Sequence, residues 1–121
     1  MSDITDLIDR YIAMWNETDD NRRRALVRSI FHVEATYADP VVQGEGVAGI
    51  DAMVKGVQER FPGHRFRRTS MVDSHNGAAR FGWELGADGE PNLVAGVDFA
   101  VISGGRLKSV VGFFDPTQTA T

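Results

Sequence analysis

Leu93-Val94-Ala95-Gly96-Val97-Asp98-Phe99-Ala100-Val101-Ile102 is the stretch on which the fold turns. In a strand, successive side chains point to opposite faces. Val94, Gly96, Asp98, Ala100 and Ile102 therefore share one face, and Leu93, Ala95, Val97, Phe99 and Val101 the other. Both faces are apolar, so a sheet containing this strand must be covered twice. Helices of the same chain supply one cover, and a homodimer packed sheet against sheet would supply the second. A more completely closed monomeric barrel is the alternative. The acid in the middle is out of keeping with its neighbours: burying an unpaired carboxylate costs roughly several kcal/mol unless it is protonated or paired.

Outward from this strand, residues 65–73, 78–85 and 107–114 also read as strands. They are separated by Asn76-Gly77, by the loop 86–91 and by Gly104-Gly105. Asn-Gly and Gly-Gly favour hairpin turns because both residues adopt positive φ at little cost. Before Gly63 the period changes. Ile4, Leu7, Ile8, Tyr11, Ile12 and Trp15 recur at steps of three and four, which predicts a helix over about residues 3–17. Leu26, Val27, Ile30 and Phe31 repeat the pattern in a second helix starting near Asp19 or Asp20, whose carboxylates suit the exposed first-turn amides. A short strand at 35–38 follows. Ile50, Met53, Val54, Val57 and Phe61 mark a third helix, led in by Gly44, Gly46 and Gly49 and stopped by Pro62-Gly63. Three helices followed by an antiparallel meander predict an α+β fold in which a curved sheet wraps the helices as a cone-shaped α+β barrel.

The chain has 121 residues, enough for one domain that buries roughly two thirds of its unfolded surface. It contains no cysteine, which excludes disulfides, thiolate metal sites and a cysteine nucleophile, and fits a reducing compartment. Its longest apolar run is strand-length, so no membrane span is expected. The acidic opening Met1-Ser2-Asp3-Ile4-Thr5-Asp6 is the wrong chemistry for a signal peptide, and a cytoplasmic location is expected. A formal charge of −4 argues against a nucleic-acid partner. Arg22-Arg23-Arg24 reads as a solvated helix face, while in Arg65-Phe66-Arg67-Arg68 the alternation allows one arginine to face a pocket. His32, His64 and His75 lack metal-ligand spacing, and there is no phosphate loop, dinucleotide glycine pattern or nucleophile elbow, so neither metal nor cofactor is expected.

A cone of helices and sheet leaves an internal cavity whose lining follows from the patterns. Tyr11 and Trp15 come from the first helix, Phe31 from the second, and Met53, Val54 and Val57 from the third. Phe61 and Phe66 flank the following turn. The sheet offers Phe81 or Trp83 and Phe113 or Phe114, with Trp83 and Phe113 as the first choices. Such a lining suits a flat, hydrophobic small molecule, although each of these residues could equally be ordinary core. In Ala35-Thr36-Tyr37-Ala38-Asp39-Pro40-Val41 a carboxylate stands where a strand ends, the place to reach a pocket mouth, and Tyr37 shares its face.

The order of elements, Arg10-Tyr11-Ile12-Ala13-Met14-Trp15-Asn16, the 35–41 run, the Ser74-His75-Asn76-Gly77 turn and the ending Val110-Val111-Gly112-Phe113-Phe114-Asp115-Pro116 resemble the nuclear transport factor 2-like superfamily, in its SnoaL-like and ketosteroid isomerase branch. The resemblance spans nearly the whole chain and implies the cone fold. It also implies roles taken from ketosteroid isomerase: Asp39 as the proton-moving base, Tyr11 as a donor to the oxyanion, and Asp98 as a second, protonated donor. Phe31 and Val54 stand where some isomerases carry supporting tyrosines, with Tyr37 as a substitute polar group. The chemistry is coherent with the residues, because enolate formation needs a carboxylate near carbon and neutral donors at oxygen.

The expected function is therefore general acid–base chemistry, isomerase-like or polyketide cyclase-like, on a hydrophobic carbonyl compound. Two alternatives stand beside it. An epoxide hydrolase of this fold would need Arg80 turned inward between two aspartates. A non-catalytic ligand-binding or dimerisation module would use Asp39 as a turn cap and pair Asp98 with a neighbour. His75 reads as a solvated turn residue.

Overall fold

In a computed structural model that describes residues 3–116, all three helices and two strands lie in the first half of the chain and the other five strands in the second. Helix α1 spans Asp3–Asn16 and α2 spans Asp20–Ile30, with Asp19 accepting from the Arg22 N–H at 2.9 Å as its N-cap. Strand β1, Phe31–Ala38, leaves α2 with no intervening loop, since Phe31 is already extended. Strand β2, Gln43–Glu45, leads into α3, Gly46–Arg60. Then come β3 (His64–Arg68), β4 (Asp73–His75), β5 (Ala78–Ala87), β6 (Asn92–Ser103) and β7 (Arg106–Phe114).

The seven strands form one curved sheet in the order β2-β1-β7-β6-β5-β3, with β4 also paired to β5. It is mixed and does not close. The antiparallel reading holds for every pair but one: β1 lies parallel to β7, pairing Thr36 with Ser109 and Tyr37 with Val110. The stretch read as a single strand over 65–73 is two short strands, β3 and β4, which meet different parts of β5. Between them Thr69 and Ser70 cross the sheet edge at Gly82, whose missing side chain leaves that room: a Cβ there would stand 2.6 Å from Thr69 Oγ1. Both predicted hairpin turns have positive φ at their two central residues, Asn76-Gly77 and Gly104-Gly105.

The core lies between the helices and the inner face of the sheet. Ile8, Tyr11, Met14 and Trp15 of α1, Val27 and Ile30 of α2, and Ile50 and Val54 of α3 meet Phe31, Ala35, Tyr37, Phe81, Ala100, Leu107 and Val110. The three consecutive arginines of α2 do not share a solvated face. Arg22 and Arg24 are outside, but Arg23 is 1% exposed, because its Nε donates to Asp51 Oδ1 of α3 at 2.8 Å and its NH2 to Asp20 Oδ1 at 2.8 Å. It locks α2 to α3 through charge, and removing one partner would leave a buried ion uncompensated.

Candidate active site

The inner face of β6 carries Asp98, only 4% exposed, and α1 passes over it so that the Tyr11 hydroxyl donates to Asp98 Oδ2 at 2.9 Å. Among the described residues no other group hydrogen-bonds this carboxyl. The Trp83 indole N–H is near enough to favour its charge but closes no hydrogen bond, and Trp83 Nε1 and Asp98 Oδ1 are both buried without a partner among the described residues. Burial is the largest influence and pushes Asp98 up to about 7; the Tyr11 and Trp83 donors pull it back, and the negative charge of Asp39 adds to the rise. Tyr11 is itself pushed well up, first by burial and then by the charge of Asp98. Its ring is held edge-on by Phe81 at 5.9 Å and Phe31 at 6.1 Å between centroids, so its direction is set by packing.

The second acid stands where β1 ends. Asp39 Oδ1 accepts from the backbone N–H groups of Val41 at 2.8 Å and Val42 at 2.9 Å, and Oδ2 accepts from the Tyr37 hydroxyl at 2.7 Å. Proline at position 40 makes the chain turn there, and the carboxylate takes up the amides the turn exposes. Asp39 is thus a turn cap whose second oxygen is turned to Tyr37. Burial, then the charges of Asp98 and Asp39, raise Tyr37 far above its ordinary range, so it stays a neutral donor. The two pairs converge over Gly112 of β7: a Cβ there would lie 2.8 Å from Asp98 Oδ1, 3.2 Å from Asp39 Cβ and 3.3 Å from the Tyr37 hydroxyl oxygen.

Both pairs line one cavity of about 340 Å³. Its other walls are mostly apolar. An aromatic chain runs around it from Tyr37 to Trp15 (5.5 Å), to Phe66 (4.9 Å), to Trp83 (5.9 Å) and to Phe114 (5.9 Å), while Val57 and Phe61 come from the end of α3. Of the residues expected here, Asp39, Tyr11, Asp98, Trp15, Tyr37, Val57, Phe61, Phe66 and Trp83 line it. Three do not. Phe31 lies in the core beneath Tyr11, and Met53 faces a shallower depression beside Val42 and Gly49. Phe113 is 51% exposed on the outer face, and Phe114 takes the inner place. The reason is a bulge at Lys108. Val101 pairs with Ser109 and Ile102 with Leu107, so the alternation that starts at Leu107 changes parity before Val110, Gly112 and Phe114.

Two arginine possibilities that the sequence left open are decided by the fold. Arg80 lies on the outer face and pairs with Asp73 at 2.9 Å, so an arginine between two aspartates is not formed. Arg67 pairs with Glu84 and Arg68 with Asp9, and no arginine of β3 enters the cavity. The cation that does line it is Arg60, in the last turn of α3, which sequence reasoning missed. A bulge also brings in Leu93: Leu85 pairs with Val94 and Gly86 with Asn92, leaving Leu93 unpaired at the cavity rim. Among the described residues no three metal-ligating side chains converge, and no helix is long and apolar enough to cross a membrane.

Comparison with known proteins agrees with this architecture. A SnoaL-like domain model matches residues 8–110. A candidate isomerase of the SnoaL-like family from Agrobacterium tumefaciens is 37% identical, with a TM-score of 0.90 over 95% of this chain and 99% of that one. A candidate ketosteroid isomerase from Kribbella flavida (16% identity, TM-score 0.70, 93% of this chain and 78% of that one) shares the fold. So does a candidate polyketide cyclase from Sinorhizobium meliloti (12%, 0.70, 93% and 99%). No curated protein matches the sequence.

Proposed function

This chain belongs to the SnoaL-like family, and we propose that it is a small acid–base enzyme that moves a proton next to a carbonyl on an apolar substrate. The observation that carries this reading is the pairing of two unlike tyrosine–aspartate units in the wall of a single apolar cavity. Asp39 Oδ2 takes a proton from the carbon beside the carbonyl, and the C–H electron pair becomes an enolate with its charge on oxygen. Tyr11 and the protonated Asp98 carboxyl donate to that oxygen, which removes the need for solvent to stabilise it. Asp39 then returns the proton to a conjugated carbon and is regenerated. The 37% identical Agrobacterium candidate isomerase supports the reaction class. The same base and donors would serve the enolate step of a polyketide cyclisation.

The test is conversion of 3-cyclohexenone and of a 5-ene-3-ketosteroid to their conjugated isomers, followed by the absorbance of the product. Turnover above buffer for either supports the proposal. No turnover of either removes isomerisation of these ketones from its repertoire and leaves cyclisation and plain ligand binding standing.

We also propose that a second copy covers the outer face of the sheet. Phe99, Val101, Val111 and Phe113 are all more than two fifths exposed there, with Phe99 and Phe113 in edge contact at 5.6 Å, and the Arg80–Asp73 ion pair borders the patch beside Phe99. An apolar patch on the flat side of a twofold-symmetric pair is self-complementary. Sedimentation velocity on the wild type and Phe99→Lys decides it: a dimer that the substitution dissociates supports the proposal, and a monomeric wild type overturns it.

A further inference from the structure

Arg60 is exposed and lines both the cavity and the shallower depression beside Met53, and its side chain has no ion-pair or hydrogen-bond partner among the described residues. Val41, 61% exposed, and Leu93, 51% exposed, line the same cavity at its solvent side, whereas Asp98 lines it from the buried interior. Val57 and Arg60 are three residues apart on α3 and share a helix face, and the C-cap Phe61 lines the same cavity. A cation in the last turn of α3 also complements the helix dipole, but that role is open to any position around the turn and does not require the face that meets the cavity. Every other lining residue with a formal charge is an acid, Asp39 or Asp98. Without Arg60, the site would repel an anion.

We infer that the substrate carries an anionic group, a carboxylate by its fit to a guanidinium, at the end remote from its carbonyl, and that Arg60 binds it at the rim. The inference rests on the acid–base reading above and narrows its substrate to apolar carbonyl compounds bearing a carboxylate. The cavity, at about 340 Å³, lies near the small end of the range for ligand sites, so the spacer between the two groups is compact. A guanidinium at a half-solvated rim attracts a carboxylate modestly, with a preference of about fivefold.

The experiment is calorimetric titration of the full chain with enol mimics in matched pairs, phenol against 4-hydroxybenzoate and 2-naphthol against 6-hydroxy-2-naphthoate, which scan the distance between hydroxyl and carboxylate. For at least one length the wild type binds the carboxylate about fivefold more tightly than its neutral partner. In Arg60→Gln that ratio falls to near one, Arg60→Lys restores part of it, and added salt erodes it in the wild type. Neutral mimics that bind with no carboxylate preference at either length, or a preference that survives in Arg60→Gln, overturn the role of Arg60 and leave the acid–base proposal intact. Failure of all four mimics to bind overturns both.

Discussion

Tyr11 with Asp98 and Tyr37 with Asp39 are the same two side chains joined by similar bonds, 2.9 Å and 2.7 Å, a few ångströms from the same glycine. Their surroundings divide them. Asp39 stands at a turn and has two backbone amides to receive. Asp98 stands in mid-strand, where the amides are engaged in the ladder, and its remaining oxygen has no partner among the described residues. A carboxylate with three donors is an oriented acceptor; a buried carboxyl with one donor holds its proton until about pH 7. One fold thereby provides a proton acceptor and a proton donor from one residue type, the pattern expected of acid–base assignments.

The comparison is easiest to break at the acceptor. Asp39→Asn keeps an oxygen for the Val41 and Val42 amides but cannot take a proton, and ketone isomerisation should fall by about 10² to 10⁴-fold with little change in the urea midpoint. The donors sharpen it. Tyr11→Phe removes an oxyanion donor and leaves Asp98 unpartnered, so kcat should drop by about 10²-fold, whereas Tyr37→Phe leaves Asp39 its two amides and should cost less than about tenfold. Equal losses in the two variants would mean that the pairs are not functionally distinct.

The pH dependence of stability isolates Asp98. Its folded value, about 7, exceeds the ordinary 3.8, so the native state binds more protons than the unfolded chain between those limits. The stability it confers is fully present below about pH 4 and is lost as pH rises through about 7, with a slope of at most about 1.4 kcal/mol per pH unit. Urea titrations at a series of pH values should show this decline in the wild type and its removal in Asp98→Asn. Gly112→Ala should press on both pairs at once and cost about 1–3 kcal/mol in the same assay; a neutral outcome would mean that the two units are less closely joined than the 2.8 Å and 3.2 Å approaches imply.

The fold was legible because its signals were local. Helical spacing marked α1, hairpin residues marked two turns, and alternation grouped Asp98 with Val94, Gly96, Ala100 and Ile102 on one face of β6, which the family resemblance turned inward. What alternation could not supply was a change of phase. The bulge at Lys108 reversed β7 and exchanged Phe113 for Phe114, and the unpaired Leu93 moved from the outer series to the rim. Arg23 reads as one of three surface arginines because its partner Asp51 lies on another helix. Arg60 ends a helix, where a basic residue is ordinary, and only the position of α3 against the sheet turns it towards the cavity. Asp39 was visible from its place between strand and proline; its amide donors at Val41 and Val42 depend on a turn geometry that residue types permit but do not dictate.

The parallel seam between β1 and β7 has a consequence for how such a chain acquires its structure. Phe31 meets Leu107 and Tyr37 meets Val110, so the strand that positions Asp39 is stitched to one made near the far end of the sequence. During synthesis the helices and β1 emerge first and have no sheet to join. Loop-closure entropy over that span is spent before the seam repays it. The acid–base centre should therefore be among the last parts to assemble, and a nascent chain that has not yet released β7 should offer β1 as an unpaired edge, a natural target for chaperones.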